Sequence, residues 1–245
     1  MEVKDDETLS PFIRGKVHII QKKRGYRFNL DSVLLADFIK IKKKKSKIID
    51  LGTGSGILLI LLSLKYKDPE FYALEIQETL FDLSKRNFSL NKIKVNLLNG
   101  DVKNIKKLLP PQSFDYVITN PPYYKIEGKK PENEELKIAK FEEKASVDDF
   151  IKAAFYLLKD NGSFFMVNQS NRLAEILYKM KKNRLEPKRV RFIYPSYREQ
   201  SSHFLVEAVK NGKEGNIVEK PLIVYKDPKE KVYTEEVNFL LERFV

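Results

Sequence analysis

Between residues 47 and 182 the sequence alternates short apolar runs with helical patterns, and this alternation constrains the fold more than any other feature. A strand followed by a helix, repeated several times, is typical of βαβ units, which build a parallel sheet covered by helices on both faces. The predicted strands are Lys47–Leu51, Glu70–Glu75, Val95–Leu98, Phe114–Thr119 and Ser163–Val167. The predicted helices are Ser55–Tyr66, Thr79–Leu90, Val102–Leu109, Ser146–Lys159 and Ser170–Lys182. The sequence therefore predicts an α/β fold.

The segments on either side of this alternation predict further elements. Residues 1–30 are predicted to be irregular or weakly β, and Asp31 is predicted to cap a helix that runs to Ile39. Arg189–Tyr194 and His203–Val209 have no helix between them, so they predict an antiparallel hairpin that closes the edge of the sheet. Tyr123–Ala145 is predicted to be a polar insertion, Pro221–Tyr225 a strand and Thr234–Phe244 a helix.

No linker or internal repeat divides the chain, and 245 residues suffice for one large α/β domain. We therefore expect a single domain over residues 1–245. It would comprise an N-terminal extension (1–30), a core (46–210) and a C-terminal tail (211–245).

The composition excludes several kinds of chemistry. The chain has no cysteine, so disulfides, thiolate metal sites and cysteine nucleophiles are absent. Two histidines leave little room for a histidine metal site or a Ser-His-Asp triad, and we expect no metal. The longest apolar run, Ile57–Leu62, is far shorter than the ~20 residues of a membrane span. The N-terminus is acidic and unlike a signal peptide, so we expect a cytoplasmic protein with no membrane contact.

Positive charge is concentrated in two regions of the chain. The whole chain has 46 Lys and Arg against 34 Asp and Glu, a net charge of +12. Residues 1–50 hold 13 basic and 7 acidic residues, residues 178–213 hold 10 and 3, and residues 51–177 are nearly neutral. This distribution predicts a polyanionic partner bound by surfaces outside the neutral middle of the chain.

Glycines cluster where the first predicted strand meets its helix. The segment reads Asp50-Leu-Gly52-Thr-Gly54-Ser-Gly56, and such a turn lets a ligand approach the backbone closely. The dinucleotide fingerprint Gly-x-Gly-x-x-Gly would need its third glycine at the position of Ile57. The pattern therefore favours a nucleoside cofactor without a pyrophosphate over NAD.

Acidic residues follow the next two predicted strands. Glu75 ends the second strand, where a carboxylate can accept hydrogen bonds from both ribose hydroxyls of a nucleoside. Asp101 follows the third strand, where a short carboxylate can accept from an exocyclic adenine amine. Strand ends beside a glycine turn are the usual ligand site of an open α/β sheet, which favours a binding role for these residues.

The segment Asn120-Pro-Pro-Tyr123 directly follows the fourth predicted strand. Its two prolines fix φ and remove two backbone donors, which leaves an acceptor-rich corner made by the Asn120 amide oxygen and the Pro121 carbonyl. Such a corner suits a planar NH2 group, because both N–H bonds can be accepted while the Tyr123 ring stacks on the attached π-system. Two acceptors favour a pyramidal geometry at the nitrogen of this NH2 group and free its lone pair. No general base is then needed before the nitrogen attacks an electrophile.

Together these four motifs resemble, in order and spacing, those of class I S-adenosylmethionine-dependent amino-methyltransferases. The resemblance covers about residues 26–210 and implies a Rossmann-like fold. That fold is a seven-stranded sheet with helices on both faces and an antiparallel last strand, in agreement with the predicted hairpin.

The resemblance also implies a role for each motif, with S-adenosylmethionine as the cofactor. The methionine part of the cofactor would face Asp50, Gly52, Gly54 and Gly56. The ribose and adenine would be held by Glu75, Ile76, Asp101 and Val102. The target NH2 group would be held by Asn120, Pro121, Pro122 and Tyr123.

A narrower resemblance lies upstream of the first predicted strand. Gly25-Tyr-Arg-Phe-Asn-Leu-Asp31-Ser-Val-Leu-Leu-Ala36 is similar to the same segment of the bacterial tRNA(Val) adenine-N6 methyltransferases, although Asn29-Leu30 stands where members often have Gly-Thr. The likeness implies methyl transfer to the N6 amine of a tRNA adenosine. We expect a monomer whose basic flanks, residues 14–47 and 179–198, bind the tRNA backbone. The cations expected to do so are Lys22, Lys23, Arg24, Arg27, Lys179–Arg184 and Lys188–Arg191.

Other acceptors remain open. A protein glutamine methyltransferase would use the same Asn-Pro-Pro-Tyr motif on an amide, but such enzymes carry a helical N-terminal domain for which residues 1–30 are too short. A guanine-N2 rRNA enzyme usually has a duplicated domain, and a DNA adenine enzyme would need more than the ~35 residues that follow the core. A non-catalytic RNA-binding protein on the same fold is a further alternative.

Overall fold

The computed structural model describes residues 3–24, 27–123, 145–227, 229 and 231–244. Its strands are β1 (Glu7–Phe12), β2 (Val17–Lys22), β3 (Lys47–Leu51), β4 (Glu70–Glu75), β5 (Val95–Asn99), β6 (Phe114–Thr119), β7 (Leu158–Gln169), β8 (Leu185–Ser196), β9 (His203–Lys210), β10 (Ile217–Val218), β11 (Leu222–Asp227) and β12 (Val232–Tyr233). Its helices are α1 (Leu30–Phe38), α2 (Ile57–Lys65), α3 (Glu78–Leu90), α4 (Ile105–Leu108), α5 (Val147–Leu157), α6 (Leu173–Lys182) and α7 (Glu235–Glu242). Short 3-10 turns precede α4 and α6, at Val102–Asn104 and Ser170–Arg172.

One large sheet organises the described residues, in the order β12-β11-β8-β9-β7-β6-β3-β4-β5. Strands β3 to β7 are parallel neighbours, whereas β9 is antiparallel to both β7 and β8. The predicted α/β class with a mostly parallel sheet is therefore confirmed, but the predicted seven strands with the antiparallel strand last are not. The described residues form a ten-stranded sheet in which β8, β11 and β12 lie beyond β9, and β12 is antiparallel to β11. The carboxyl ends of β3 to β7 form one edge of the sheet, which we call the active edge. The opposite ends form the far edge.

Apolar helices cover both faces of this sheet. Helix α2 is buried from Ile57 to Leu62, and it packs with α1 and α7 on one face. Helices α4, α5 and α6 pack on the other face. Helix α5 begins with the predicted capping box, in which Ser146 and Asp149 each bond the other's backbone N–H. Helix α1 begins at Leu30 with Asn29 as its N-cap residue, two residues before the predicted cap, Asp31.

The C-terminal half of the sheet extends further than predicted. The β8–β9 hairpin does not close the edge, because β11 adds in parallel to β8 and β12 follows β11. Leu222 and Val224 explain this extension, since both are buried where β11 adds to the sheet. Strand β7 begins at Leu158, directly after α5, and its pairing with β6 is irregular near Phe114. The predicted insertion at Tyr123–Ala145 lies outside the described residues except at its two ends.

The N-terminal segment forms an ordered hairpin, β1 with β2, where the sequence predicted irregular or weakly β structure. Two asparagines attach this hairpin to the rest of the fold: Asn87 in α3 and Asn91 directly after it. Each forms hydrogen bonds with backbone groups of β2, as a neighbouring strand would. Asn87 accepts from Ile20 N at 2.8 Å and donates to Ile20 O and Ser55 O at 3.0 Å. One turn later, Asn91 accepts from His18 N and donates to His18 O. The hairpin is thus tied to the turn that follows β3.

Asn87→Ala is expected to lower the free energy of unfolding by about 3 kcal/mol, because it leaves three buried backbone groups without a partner. Asn87 is fully buried, so water cannot replace its bonds. Asn91→Ala is the matched control, since it removes similar bonds at a partly exposed site and should cost less than half as much. Urea unfolding of both variants measures the difference, and equal losses would contradict a docking role for Asn87.

Candidate active site

The turn between β3 and α2 has a left-handed backbone at each of its glycines. Gly52, Gly54 and Gly56 have φ of 73°, 57° and 83°, values that favour glycine. The amides of Gly52 and Thr53 both donate to Leu74 O, at 2.8 and 3.0 Å, which joins the turn to the end of β4. A Cβ at Gly56 would lie 2.5 Å from the Phe88 ring, so Gly56 permits close packing of α3 against the turn.

The carboxylate of Glu75 lies against this glycine turn. One oxygen accepts from Gly54 N at 2.8 Å and the other accepts from Gln77 N at 2.9 Å. Glu75 is 4% exposed, so these bonds hold a buried charge at the end of β4. Glu75 therefore shapes the turn as well as presenting a carboxylate at the active edge.

Asp50 is buried beneath the same turn. Its Oδ2 accepts from Thr53 Oγ1 at 2.8 Å, and its Oδ1 has no hydrogen-bond partner among the described residues. Burial raises the pKa of Asp50 to about 7, and the nearby charge of Glu75 adds to the rise. An acid with this pKa is partly protonated near neutral pH.

A cleft with about 620 Å³ of empty space, part of it open to solvent, lies over these strand ends. Most residues of its wall come from the carboxyl ends of β3 to β6 and from the start of α5. The lining residues are Gly52, Gly54, Leu74, Glu75, Ile76, Gln77, Leu80, Gly100, Asp101, Val102, Asn120, Pro122, Ala145 and Phe150. Residues of all four predicted motifs therefore meet in one cleft.

Asn120 is held at the mouth of the cleft by a serine from the upstream segment. Its amide nitrogen donates to Ser32 Oγ at 2.9 Å, which directs the amide oxygen away from Ser32. That oxygen accepts from the hydroxyl of Tyr123, three residues later. Arg172 fixes the same loop, because its guanidinium donates to Tyr123 O at 3.0 Å while pairing with Glu175. The loop is thus anchored at Asn120 and at Tyr123.

Asp31 and His203 surround the Tyr123 ring. The Tyr123 hydroxyl lies 3.5 Å from Asp31 Oδ2, and His203 Nε2 lies 4.0 Å from the same oxygen. The His203 and Tyr123 ring centroids are 5.3 Å apart. Burial raises the pKa of Asp31, although the nearby His203 opposes this rise.

Eight of the twelve predicted site residues line this cleft, and four do not. Gly52, Gly54 and the residues predicted to hold ribose and adenine all contribute to the wall, and Asp101 also caps the turn after β5 by accepting from Lys103 N. The four that do not line it are Asp50, which is buried beneath the turn, Gly56, which packs on Phe88, Pro121 and Tyr123. Sequence reasoning missed four residues that shape the site, namely Ser32, Phe150, Arg172 and His203. The capping box of Ser146 and Asp149 indicates that Phe150 lies at the start of a helix. No local sequence pattern indicates that the other three residues lie near the site.

Several cations of the predicted basic flanks have partners within the fold. Lys182 ends α6 at the far edge, because β8 begins there and pairs Leu185 with Lys210, the last residue of β9. Arg189 is 9% exposed and pairs with Glu207 and Glu219. The other flank cations with intramolecular partners include Lys22, Lys179, Lys181, Lys188 and Arg191. Contact between the flanks and a tRNA backbone stays a prediction.

Neither a metal site nor a membrane span is found in the described part of the chain. No cluster of three or more His, Asp or Glu side chains there could bind a metal ion. No helix there has the length and hydropathy needed to cross a bilayer.

Solved methyltransferase structures share this fold. A predicted O-methyltransferase from Agrobacterium tumefaciens gives a TM-score of 0.68 at 21% identity, covering 87% of this chain and 96% of that one. A protein described as a class I S-adenosylmethionine-dependent methyltransferase from Listeria monocytogenes gives a TM-score of 0.59 at 20% identity. The match covers 91% of this chain and 74% of the Listeria chain. At these identities the likeness shows the fold alone, which is Rossmann-like.

Sequence comparison shows the family. Residues 26–185 match the family model described as the methyltransferase small domain, and the chain therefore belongs to that family. This confirms the prediction of a methyltransferase with S-adenosylmethionine as its cofactor.

Named relatives match roughly three fifths of the chain. A tRNA1(Val) (adenine(37)-N6)-methyltransferase of Flavobacterium johnsoniae is 28% identical over 145 residues, which is 58% of this chain. One of Haemophilus influenzae is 25% identical over 162 residues, which is 65% of this chain and 68% of the relative. The chain spans 60% of the length of the Flavobacterium protein.

Asp50→Asn is expected to stabilise the protein more at pH 8 than at pH 5. The folded state holds the Asp50 proton up to about pH 7, whereas the unfolded chain releases it near pH 4, so burial costs stability as the pH rises through this window. The increase in the free energy of unfolding that Asp50→Asn causes should therefore be about 2–3 kcal/mol larger at pH 8 than at pH 5. Thermal unfolding at both pH values measures it. Asp68→Asn, at an exposed position, is the control, and an equal gain of Asp50→Asn at both pH values would contradict the prediction.

Proposed function

We propose that the chain transfers a methyl group from S-adenosylmethionine to the exocyclic N6 amine of adenosine 37 in tRNA. The observation that carries this proposal is that Asn120 lines the cleft while its amide nitrogen donates to Ser32 Oγ, which leaves the amide oxygen as the acceptor for a substrate amine. The choice of adenosine 37 follows the tRNA1(Val) (adenine(37)-N6)-methyltransferases to which the chain is similar.

The acceptor corner suits the amine of adenine. The lone pair of this nitrogen is delocalised into the ring, so the amine is a weak nucleophile until its N–H bonds are accepted. The Asn120 oxygen has two lone pairs, one of which already accepts from Tyr123 and the other of which can accept from the amine. The Pro121 carbonyl supplies the second acceptor, and the adjacent Tyr123 ring offers a stacking surface for the base.

The opposite side of the cleft fits S-adenosylmethionine. The buried Oδ1 of Asp50 lacks a partner among the described residues, so it can accept from a cationic or water-bound group of the methionine part. Glu75 and Asp101 offer carboxylate oxygens to the ribose and the adenine amine, and Ile76 and Val102 offer apolar contacts. When bound, the cofactor supplies an electrophilic methyl group on a sulfonium.

Asn120 and its neighbours perform the acceptor side of the transfer. They would orient the amine so that its lone pair forms the new N–C bond as the C–S bond breaks, which leaves S-adenosylhomocysteine. The methylated nitrogen then releases one proton to solvent. The buried Arg172–Glu175 pair keeps the loop in place, since Arg172 lowers the pKa of Glu175 to about 2 and the pair stays ionised. A cytoplasmic location, a monomeric state and a single domain complete the proposal.

The proposed function is tested by incubating the protein with methyl-labelled S-adenosylmethionine and unmodified tRNA1(Val) transcript. Nucleoside analysis should recover the label as N6-methyladenosine. A transcript with guanosine at position 37 is the matched control and should stay unlabelled. Label on protein glutamine, or equal labelling of both transcripts, would overturn the proposal.

Asn120→Ala should reduce the rate of methyl transfer about a hundredfold or more, because one well-aimed acceptor of the amine is lost. The affinity for S-adenosylhomocysteine, measured by calorimetry, should stay unchanged, since Asn120 is assigned to the amine and not to the cofactor. A variant with a rate within threefold of the wild type would remove Asn120 from the acceptor site.

Ser32→Ala should lower kcat about tenfold, because the Asn120 amide loses the bond that fixes its orientation. Ser32→Thr keeps the hydroxyl and should retain most of the activity. Affinity for S-adenosylhomocysteine and Tm are recorded for both variants, so that a loss of folding is distinguished from a loss of orientation. Equal kcat in the alanine variant and the wild type would show that Ser32 does not position the amide.

A further inference from the structure

The turn between β8 and β9, residues 197–202, lies beside the acceptor corner. Strand β9 is antiparallel to β7 and pairs His203 with Gln169, at the carboxyl end of β7. His203 directly follows the turn, and its ring centroid is 5.3 Å from that of Tyr123. The turn therefore lies at the active edge, next to the place where the target base would stack.

Hydrogen bonds hold this turn in one shape. Ser202 donates its backbone N–H to Ile193 O at 2.9 Å and accepts from Ser170 N at 3.0 Å. The hydroxyls of Ser170 and Ser201 are 2.7 Å apart, which ties the turn to the end of β7. A turn held in this way presents its outer side chains with little further loss of conformational entropy on binding.

The turn directs an aromatic ring and a cation into solvent. Tyr197 is 74% exposed, so its ring is accessible to a ligand. Arg198 is also exposed, and its guanidinium has no hydrogen-bond or ion-pair partner among the described residues. Glu199 bonds to Ser196 Oγ at 2.7 Å, so it does not pair with Arg198.

We propose that Tyr197 and Arg198 form a docking surface for single-stranded RNA next to the target adenosine. An exposed aromatic ring beside an arginine is the chemistry that binds unpaired nucleotides, because the ring stacks on a base and the guanidinium binds a phosphate. Tyr197 would stack on a nucleotide that flanks the target, and Arg198 would neutralise a backbone phosphate. This inference rests on the proposed function, since it assumes that the acceptor belongs to RNA.

The test measures RNA binding without catalysis. A fluorescent anticodon stem-loop RNA with adenosine at position 37 is titrated with protein and S-adenosylhomocysteine, and its anisotropy is followed. Tyr197→Ala and Arg198→Ala should each weaken binding about tenfold, whereas Tyr197→Phe should bind within twofold of the wild type. Between ~50 and 300 mM salt, Arg198→Ala should reduce the log–log slope by roughly 0.7–0.9, and Tyr197→Ala should leave the slope unchanged.

Matched controls come from outside the turn and outside the predicted basic flanks. Tyr178 is 67% exposed, nearly as exposed as Tyr197, but it lies on α6. Lys67 is an exposed cation just before β4, whose amino end lies at the far edge. Tyr178→Ala and Lys67→Ala should bind the RNA within twofold of the wild type, and losses equal to those of the turn variants would overturn a specific docking surface.

The outcomes separate this inference from the proposed function. If the wild type binds the RNA and both turn variants bind equally well, the docking surface is wrong and the proposed function stands. If the wild type neither binds nor methylates RNA, both are wrong. If the variants lose binding of a glutamine-containing peptide instead, the surface docks a protein and the RNA assignment fails.

Discussion

The contact between Glu75 and the glycine turn is the interaction on which the site depends. The Glu75 carboxylate accepts from Gly54 N, while Leu74 O accepts from Gly52 N and Thr53 N. These bonds fix the ends of β3 and β4 against each other and place the turn over Asp50. Burial beneath the turn raises the pKa of Asp50 to about 7, and the nearby charge of Glu75 adds to the rise.

Local patterns predicted the elements that form this arrangement. Strands β3 to β6 are short, mostly apolar runs, and the glycines mark a backbone that only glycine adopts easily. Glu75, Asp101 and Asn120 could be predicted because each lies at or just beyond the carboxyl end of a strand, and parallel strands bring these ends to one edge. Gly56 shares the motif but packs on Phe88, a long-range contact that the motif does not encode.

The residues that sequence reasoning missed lie far from the motifs along the chain. Ser32 is 88 residues from Asn120, and Arg172 is 49 residues from Tyr123. Their roles depend on how α1 and the end of β7 pack against the loop after β6. This packing explains why a segment upstream of the first core strand carries a family resemblance, since its helix forms the back of the acceptor corner.

Net charge predicted a polyanionic partner but not the place where that partner binds. Strand β8 has 12 residues, so its two ends are roughly 40 Å apart at ~3.3 Å per residue. That distance is about four to five Debye lengths at physiological salt, so Lys182 at the far edge has little influence on a phosphate at the acceptor corner. Local contact at the corner must come from side chains at the active edge, where the cation of Arg198 is presented. Far-edge lysines can still attract a large polyanion as it approaches, because a tRNA exceeds the sheet in length.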